Sequence, residues 1–372
     1  MGLSGQMTGR QHDVEPGGSP LSREPTAMFD ASEDLLPKDA PTDAPELQIC
    51  LRQVLAGRSV RVVGHEQLKN DVHRLRVDVE GTERSLVVKW SDPVIARRSL
   101  LVARRWLPAV GLQDHGPPLL AVVAEPTCRG AWHVYDDLAG RPLSTERPVA
   151  SEVEAAIDAI ARVHTAFAEH PLLRECRLWG GDRGIPFYSA NLRDAIIALR
   201  SLDLDRYGAE AIAVRDALLQ RMDDLGKQES ERAQVLAASG GPETLLHGDL
   251  WPTNAVLLPN EHAVRVRLID WDEAAVGPIG FDLSTFLLRF DSSHRPWILD
   301  IYRRAVDRLA GWELPHEGAL YPIFETAAYA RLASELVWSV AAAVDGESGW
   351  LLERLAEIVE WLDAVEPVLP TR

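Results

Sequence analysis

The sequence predicts an α+β chain of two lobes, a small antiparallel β-sheet lobe followed by a large, mainly helical one. Three observations carry this. Short β-branched and alternating runs crowd residues 60–135, whereas apolar residues at helical spacing dominate from Ser151 onward. The chain has 372 residues, more than one small domain needs and enough for two lobes. Hydrophobic residues make up 46% and charged residues 26%, the mixture of a globular protein with an ordinary core.

The elements follow in order. Residues 1–45 are rich in Gly, Pro, Ser, Asp and Glu and cannot bury enough apolar surface to offset ordering, so a disordered tail is expected there. Its most apolar stretch is 28–36. Pro45 opens a short amphipathic helix over 46–56. Strands are expected at 60–63, at 71–79 through Val72, Leu75, Val77 and Val79, and at 85–90, S-L-V-V-K-W. Gly81-Thr82 makes the hairpin turn near residues 80–83. A helix over 97–110 is followed by strands at 119–124 and 132–135. Ser151 with Glu154 reads as a capping box before a helix whose Ile157, Ile160, Ala161, His164 and Phe167 repeat at helical spacing. Further helices are expected at 189–201, 210–226 and 229–238. Two short strand-like runs then interrupt, read as one β-hairpin with acids at its strand ends. Helices resume at 283–290, 296–311, 318–344 and 349–365.

Composition excludes several classes. A formal charge of −17 opposes a general nucleic-acid binder, which needs a basic footprint, and is compatible with a cationic small-molecule substrate. Cys50, Cys128 and Cys176 stand far apart without metal or CxxC spacing, so free thiols in a reducing compartment are expected. No apolar run reaches the roughly 18 residues of a membrane span. The first residues lack the pattern of a signal peptide, which makes the cytoplasm the expected location. The motifs GxxxxGK[ST], GxGxxG and HExxH are absent.

The chemistry concentrates in the two interrupting runs. The first is L-L-H-G-D-L-W-P-T-N, residues 245–254, and the second is L-I-D-W-D, residues 268–272. Phosphoryl transfer needs a carboxylate to orient the attacking hydroxyl, oxygen ligands for Mg²⁺, and a lysine on the nucleotide phosphates. Asp249 can be the first. Asn254 and Asp270 can supply the second. Lys89, in the apolar strand S-L-V-V-K-W, can be the third.

The spacing from Asp249 to Asn254 is that of the D-x-x-x-x-N catalytic loop of protein kinases. Together with L-I-D-W-D and V-G-P-I-G-F-D-L-S-T-F, the sequence resembles the aminoglycoside phosphotransferase family, which takes in choline kinases. The resemblance spans about residues 55–345 and is strongest at 245–286. It implies a two-lobed, protein-kinase-like fold, with an N-lobe over 46–138 and a helical C-lobe over 139–372. It also implies ATP and Mg²⁺ as cofactors. Under it, Asp249 is the catalytic base in the loop 247–254, and Asn254 and Asp270 bind the metal, the latter at the strand end 268–272. Lys89 meets the nucleotide phosphates. Residues 133–138, with Tyr135, Asp136 and Leu138, resemble the hinge that meets the adenine edge. His247, Asp272 and Asp282 are supporting residues, Asp282 being similar to the structural aspartate beneath the catalytic loop. His164 belongs to the helix before that loop and reads as a core histidine.

Two features depart from that pattern. The kinase lysine usually pairs with a glutamate on the next helix, yet residues 85–124 contain no glutamate and only Asp92 and Asp114 as acids. One of these, or an acid from elsewhere, orients Lys89, or the pair is absent. The phosphate-covering loop, residues 63–73, holds only Gly64, with Lys69 or Asn70 as further phosphate contacts. The pairs Arg97-Arg98 and Arg104-Arg105 are seven residues apart and are expected to share a helix face, exposed to solvent or docking something anionic. Residues 291–372 hold 14 acids against 7 basic residues, which would suit an amine-bearing acceptor. Trp297, Trp312, Trp338 and Trp350 read as core, with sugar stacking as the alternative. The acceptor stays open among a small molecule (an aminoglycoside-like antibiotic, a sugar or an amino alcohol) and a peptide Ser or Thr in natural-product biosynthesis. A catalytically inactive nucleotide-binding scaffold is the reading of another class. No nucleic acid and no membrane is expected as a partner.

Overall fold

The computed structural model describes residues 45–55, 60–202, 208–258, 264–309, 312–345, 350–363 and 368–369. The expected tail, apart from Pro45, lies outside these residues. Pro45 opens α1 (Pro45–Val54), whose Leu47, Cys50 and Leu51 are buried in the small-lobe core. The sheet of that lobe has five antiparallel strands in the order β1-β2-β3-β5-β4. They are β1 (Val60–Lys69), β2 (Val72–Val79), β3 (Thr82–Ser91), β4 (Leu119–Ala124) and β5 (Ala131–Asp136).

The two-residue period of a strand decides which side chains reach the site. Leu86 and Val88 of β3 enter the core with Leu75 and Val77. Val87 and Lys89 therefore face the other way, into the cleft. Residues 63–73, expected as a loop, are instead mostly ladder. β1 runs on to Lys69, pairs with β2 around the tight turn Asn70-Asp71, and is irregular between Val62 and Gly64 and between Gln67 and Lys69.

The next helix, α2 (Pro93–Leu101), begins before the expected residue 97. Asp92 caps it, accepting from Val94 N at 2.9 Å and Ile95 N at 3.1 Å, and Pro93 takes the first position, where its missing N–H costs nothing. The helix then widens into a π turn at Val102–Trp106 and ends in α3 (Leu107–Ala109). The π turn falls at the second arginine pair, and the guanidinium groups are already engaged. Arg98 donates to the Trp179 carbonyl at 3.2 Å and Arg104 to the Leu120 carbonyl at 2.8 Å. Arg105 donates to Glu175 at 2.6 Å, and Arg97 lies 5.3 Å from the Trp179 ring centroid. Arg97, Arg104 and Arg105 are exposed, as a solvated face requires, and Arg98, Arg104 and Arg105 are each tied by hydrogen bonds to neighbouring elements.

The large lobe holds α4 (Ala150–Phe167), α5 (Leu173–Gly180), α6 (Ile185–Ser201), α7 (Gly208–Lys227), α8 (Glu229–Ser239), α9 (Gly280–Leu287), α10 (Arg295–Leu309), α11 (Glu317–Asp345) and α12 (Leu351–Asp363). One core joins Ile157, Ile160 and Phe167 of α4 to Ile298, Tyr302 and Ala305 of α10. A second joins α6, α7, α11 and α12. The expected capping box does not form. α4 starts at Ala150 with Val149 as its cap, so Ser151 is already inside the first turn. Trp297 and Trp312 pack against the first core, whereas Trp338 and Trp350 are exposed.

The two strand-like runs do not pair with each other, contrary to the expected hairpin. The lobe has β6 (Arg141–Pro142), β7 (Glu243–Leu246), β8 (Ala255–Leu258), β9 (Arg265–Leu268) and β10 (Ala275–Pro278). β7 pairs with β10, and β9 with β8, both antiparallel. The reason is local. A-V-L-L directly follows the first motif and turns back on R-V-R-L, leaving β7 to find its partner beyond the second motif.

Candidate active site

Residues 247–254 leave β7 through Gly248, whose φ is +83° and whose added Cβ would collide with the Glu273 carbonyl. Only glycine fits both demands. Beneath this turn lies Asp282 of α9, fully buried. It accepts from His247 N at 2.7 Å and Gly248 N at 2.9 Å, and its Oδ2 is 3.2 Å from His164 Nε2. His164 Nδ1 in turn meets the Tyr302 hydroxyl at 2.8 Å. Burial alone would raise the Asp282 pKa, but His164 and the His247 amide hold the carboxylate below its ordinary range. The His247 ring, packed on Trp271 at 4.7 Å, donates from Nε2 to the Ile269 carbonyl at 2.8 Å. His247 thus ties the first motif to the second.

Asp249 follows on this platform. Burial raises its pKa, against a lowering by His247 and the Trp251 side chain. Asn254 Nδ2 donates back to the Asp249 carbonyl at 2.9 Å, and Ile269 N donates to the Asn254 carbonyl at 2.9 Å. These bonds set Asn254 beside Asp270 and leave its Oδ1 without a donor among the described residues. Asp270 has left-handed backbone, φ 66° and ψ 56°, which turns the chain sharply at the end of β9.

The small lobe closes onto these groups. Lys89 Nζ lies 2.5 Å from Asp270 Oδ1 and 2.5 Å from Asp272 Oδ2, and Lys69 Nζ lies 3.6 Å from Asp270 Oδ2. Burial disfavours the Lys89 ammonium, yet the two carboxylates overcome this and its pKa is raised. Asp270 shifts down, as the lysines outweigh its own desolvation. The acid that orients Lys89 therefore comes from elsewhere than α2. Asp92 caps α2, and Asp114 pairs with Arg267 at 3.0 Å. α2 still takes part: Ser99 Oγ donates to Asp272 Oδ1 at 3.1 Å, and Arg98 donates to the Asp272 carbonyl.

Between the lobes is a cleft of about 410 Å³. Leu68, Val72 and Val87 line it from the small lobe, and Val256, Ile269 and Asn254 from the large one. Tyr135, Asp136 and Leu138 lie along the connecting strand. Asp136 N donates to the Pro118 carbonyl at 3.0 Å and Asp137 N to the Ser85 carbonyl at 3.1 Å. Leu138 N has no hydrogen-bond partner among the described residues.

The structure brings Lys89, Asn254, Asp270 and Asp272 together in one cleft, with Asp249 joined to it through Asn254 and Asp282 behind the loop. Sequence reasoning missed Ser99 and Asp137, which holds Arg74 at 2.8 Å. It also missed Trp251, Arg289 and Arg331. Trp251 had a signal, its place inside the H-G-D-L-W-P-T-N motif, and Asp137 had one in the hinge stretch 133–138. Ser99, Arg289 and Arg331 had none.

The sequence profile of the phosphotransferase enzyme family matches residues 64–323. No curated protein matches the chain. Solved structures share the fold. An ethanolamine kinase from Plasmodium vivax aligns at 13% identity and TM-score 0.56, over 89% of this chain and 90% of that one. A spectinomycin phosphotransferase solved with ADP and spectinomycin aligns at 13% and 0.54, over 87% and 95%. A macrolide 2′-phosphotransferase from Brachybacterium faecium aligns at 16% and 0.51, over 85% and 98%.

Proposed function

The chain belongs to the phosphotransferase enzyme family, and from that premise we propose that it moves the γ-phosphate of ATP to a hydroxyl of a small molecule. The observation that supports this best is the convergence of Lys89, Asp270 and Asp272 within 2.5 Å contacts, beside Asn254 and the Asp249 loop. The apolar walls of the cleft take the adenine, and Leu138 N its edge. Lys89 leaves its carboxylates to hold the nucleotide phosphates. Asp249 orients the acceptor hydroxyl and takes its proton. Its raised pKa makes it a stronger base than an ordinary aspartate. Asp282 fixes the loop so that Asp249 needs no rearrangement during transfer.

The oxygen donors present fit Mg²⁺. No group of three or more His, Cys, Asp or Glu among the described residues could hold a metal, but Mg²⁺ on nucleotide phosphates needs only one or two carboxylates. Burial would raise the Asp270 pKa, but Lys89 and Lys69 lower it, so the carboxylate is ionised, the form a Mg²⁺ ligand needs. Asp270 and the free Oδ1 of Asn254 would hold the ion, which when bound neutralises charge on the transferring phosphate.

The test is ATP consumption with mass detection of product over cationic aminosugars, neutral sugars, amino alcohols and Ser/Thr peptides. A phosphate mass gain on a small alcohol, abolished in Asp249→Ala while nucleotide binding persists, supports the reading. Undiminished transfer in that variant sinks the assignment of Asp249.

A further inference from the structure

Charges of both signs surround Asp249. Beyond the burial that raises its pKa, Asp270 and Glu273 act on it from the acidic side, and its own charge reaches Arg289 and Arg331. Arg289, just past α9, is exposed and lays its guanidinium over the Trp251 ring, 3.2 Å from the centroid. Trp251 is itself half-exposed and stands two residues beyond Asp249 on the same loop. Arg331 of α11 reaches across to α9. It donates to the Phe281 carbonyl at 3.2 Å, Ser284 Oγ at 3.0 Å and Thr285 Oγ1 at 2.5 Å, all of them neutral oxygens. Arg183 lies 4.2 Å from the Phe187 ring and is neutralised by Glu273.

Among the described residues, neither Arg289 nor Arg331 has a carboxylate partner. Burial lowers the pKa of both, that of Arg331 to about 10 with the Arg289 charge adding to the effect; Asp249 acts in the opposite direction on Arg289, and Asp282 and then Asp249 on Arg331. A cation that is partly desolvated and unpaired is a binding site for an anion. Stacking on Trp251 occupies only the face of the Arg289 guanidinium. Its in-plane N–H groups stay free in the fork that matches a carboxylate or phosphate.

Building on the phosphotransferase reading, we propose that the acceptor carries an anionic group, a carboxylate or a phosphate, near its reactive hydroxyl, and that Arg289, backed by Arg331, receives it. The acids of the C-terminal helices would instead suit an amine-bearing acceptor, which the sequence leaves open beside neutral sugars and peptides.

The experiment compares four acceptors of similar size: glycerate, glycerol 3-phosphate, glycerol and glucosamine. Each is tested for phosphate transfer from ATP and, separately, for equilibrium binding to the protein with ADP and Mg²⁺. The expected result is transfer to, or saturable binding of, the anionic members. The glycerate and glycerol 3-phosphate arms tell the two oxyanions apart. Arg289→Gln should raise KM or Kd for them roughly 10- to 100-fold with kcat little changed. Preference for glucosamine, or equal handling of all four, overturns the proposal and leaves the phosphotransferase reading standing. A loss of kcat in Arg289→Gln alike for every acceptor, with KM unchanged, also overturns it, since the guanidinium would then act on the transferring phosphate. Binding of the anionic members without any transfer supports the anion site and counts against the phosphotransferase reading.

Discussion

Asp249 combines a partly buried carboxyl with a raised pKa, and this fixes the direction of its pH response. It must be ionised to take a proton. The rate should therefore fall with acid through a pKa above 3.8, the ordinary aspartate value. A kcat/KM profile whose acid limb lay at or below that value would show that another group accepts the proton. Asp282 moves the other way. Its folded pKa is depressed, so its stabilisation is full above the unfolded pKa and disappears as pH falls through the lower folded value. Asp282→Ala strips His247 N, Gly248 N and His164 of one buried partner and should cost about 3–5 kcal/mol in urea unfolding. The variant should also lose part of the wild type's acid sensitivity below about pH 4. Asp249, Asn254, Asp270 and Lys89 were legible because each stands in a short motif or an apolar strand. The Trp251–Arg289 stack was not, because nothing in a sequence states which distant arginine will lie over which ring.

Among the elements, α2 departs furthest from the kinase pattern. It offers no glutamate to Lys89 and instead reaches Asp272 through Ser99. Its placement depends on the Asp92 cap and on the π turn that ends it. Asp92→Ala should cost about 1 kcal/mol, the usual loss for an N-cap carboxylate. That loss would appear as a lower urea midpoint with an unchanged slope; an unchanged midpoint would mean that tertiary packing alone holds the helix. The long amphipathic helices and the five-strand sheet were readable from periodicity. β8, β10 and α5 were not. A-V-L-L and A-V-G-P are too short to show a period, and the pairing of β7 with β10 depends on what the chain does after the second motif.

At the scale of the whole molecule, net charge says little about the site. The acids after residue 291 are spread over helices that also hold basic partners, as where Arg354 pairs with Glu335 and Glu357. What matters at Asp249 is the few groups within reach of it. The same holds for the contact between lobes. A lysine paired with a glutamate on α2 would have kept that bond within the small lobe. Here Lys89, Ser99 and Arg98 all fasten to Asp270 and Asp272 of the other lobe. Lys89 thus bridges the lobes through Asp270 and Asp272, and a nucleotide whose phosphates meet Lys89 has first to part this bridge. Entry becomes gated: the observed binding rate should level off at high ATP, at the rate of opening. Asp272→Asn, which removes one side of the bridge, should raise that plateau several-fold in stopped-flow. A rate that climbs linearly without limit in the wild type would mean that the gate is open from the start.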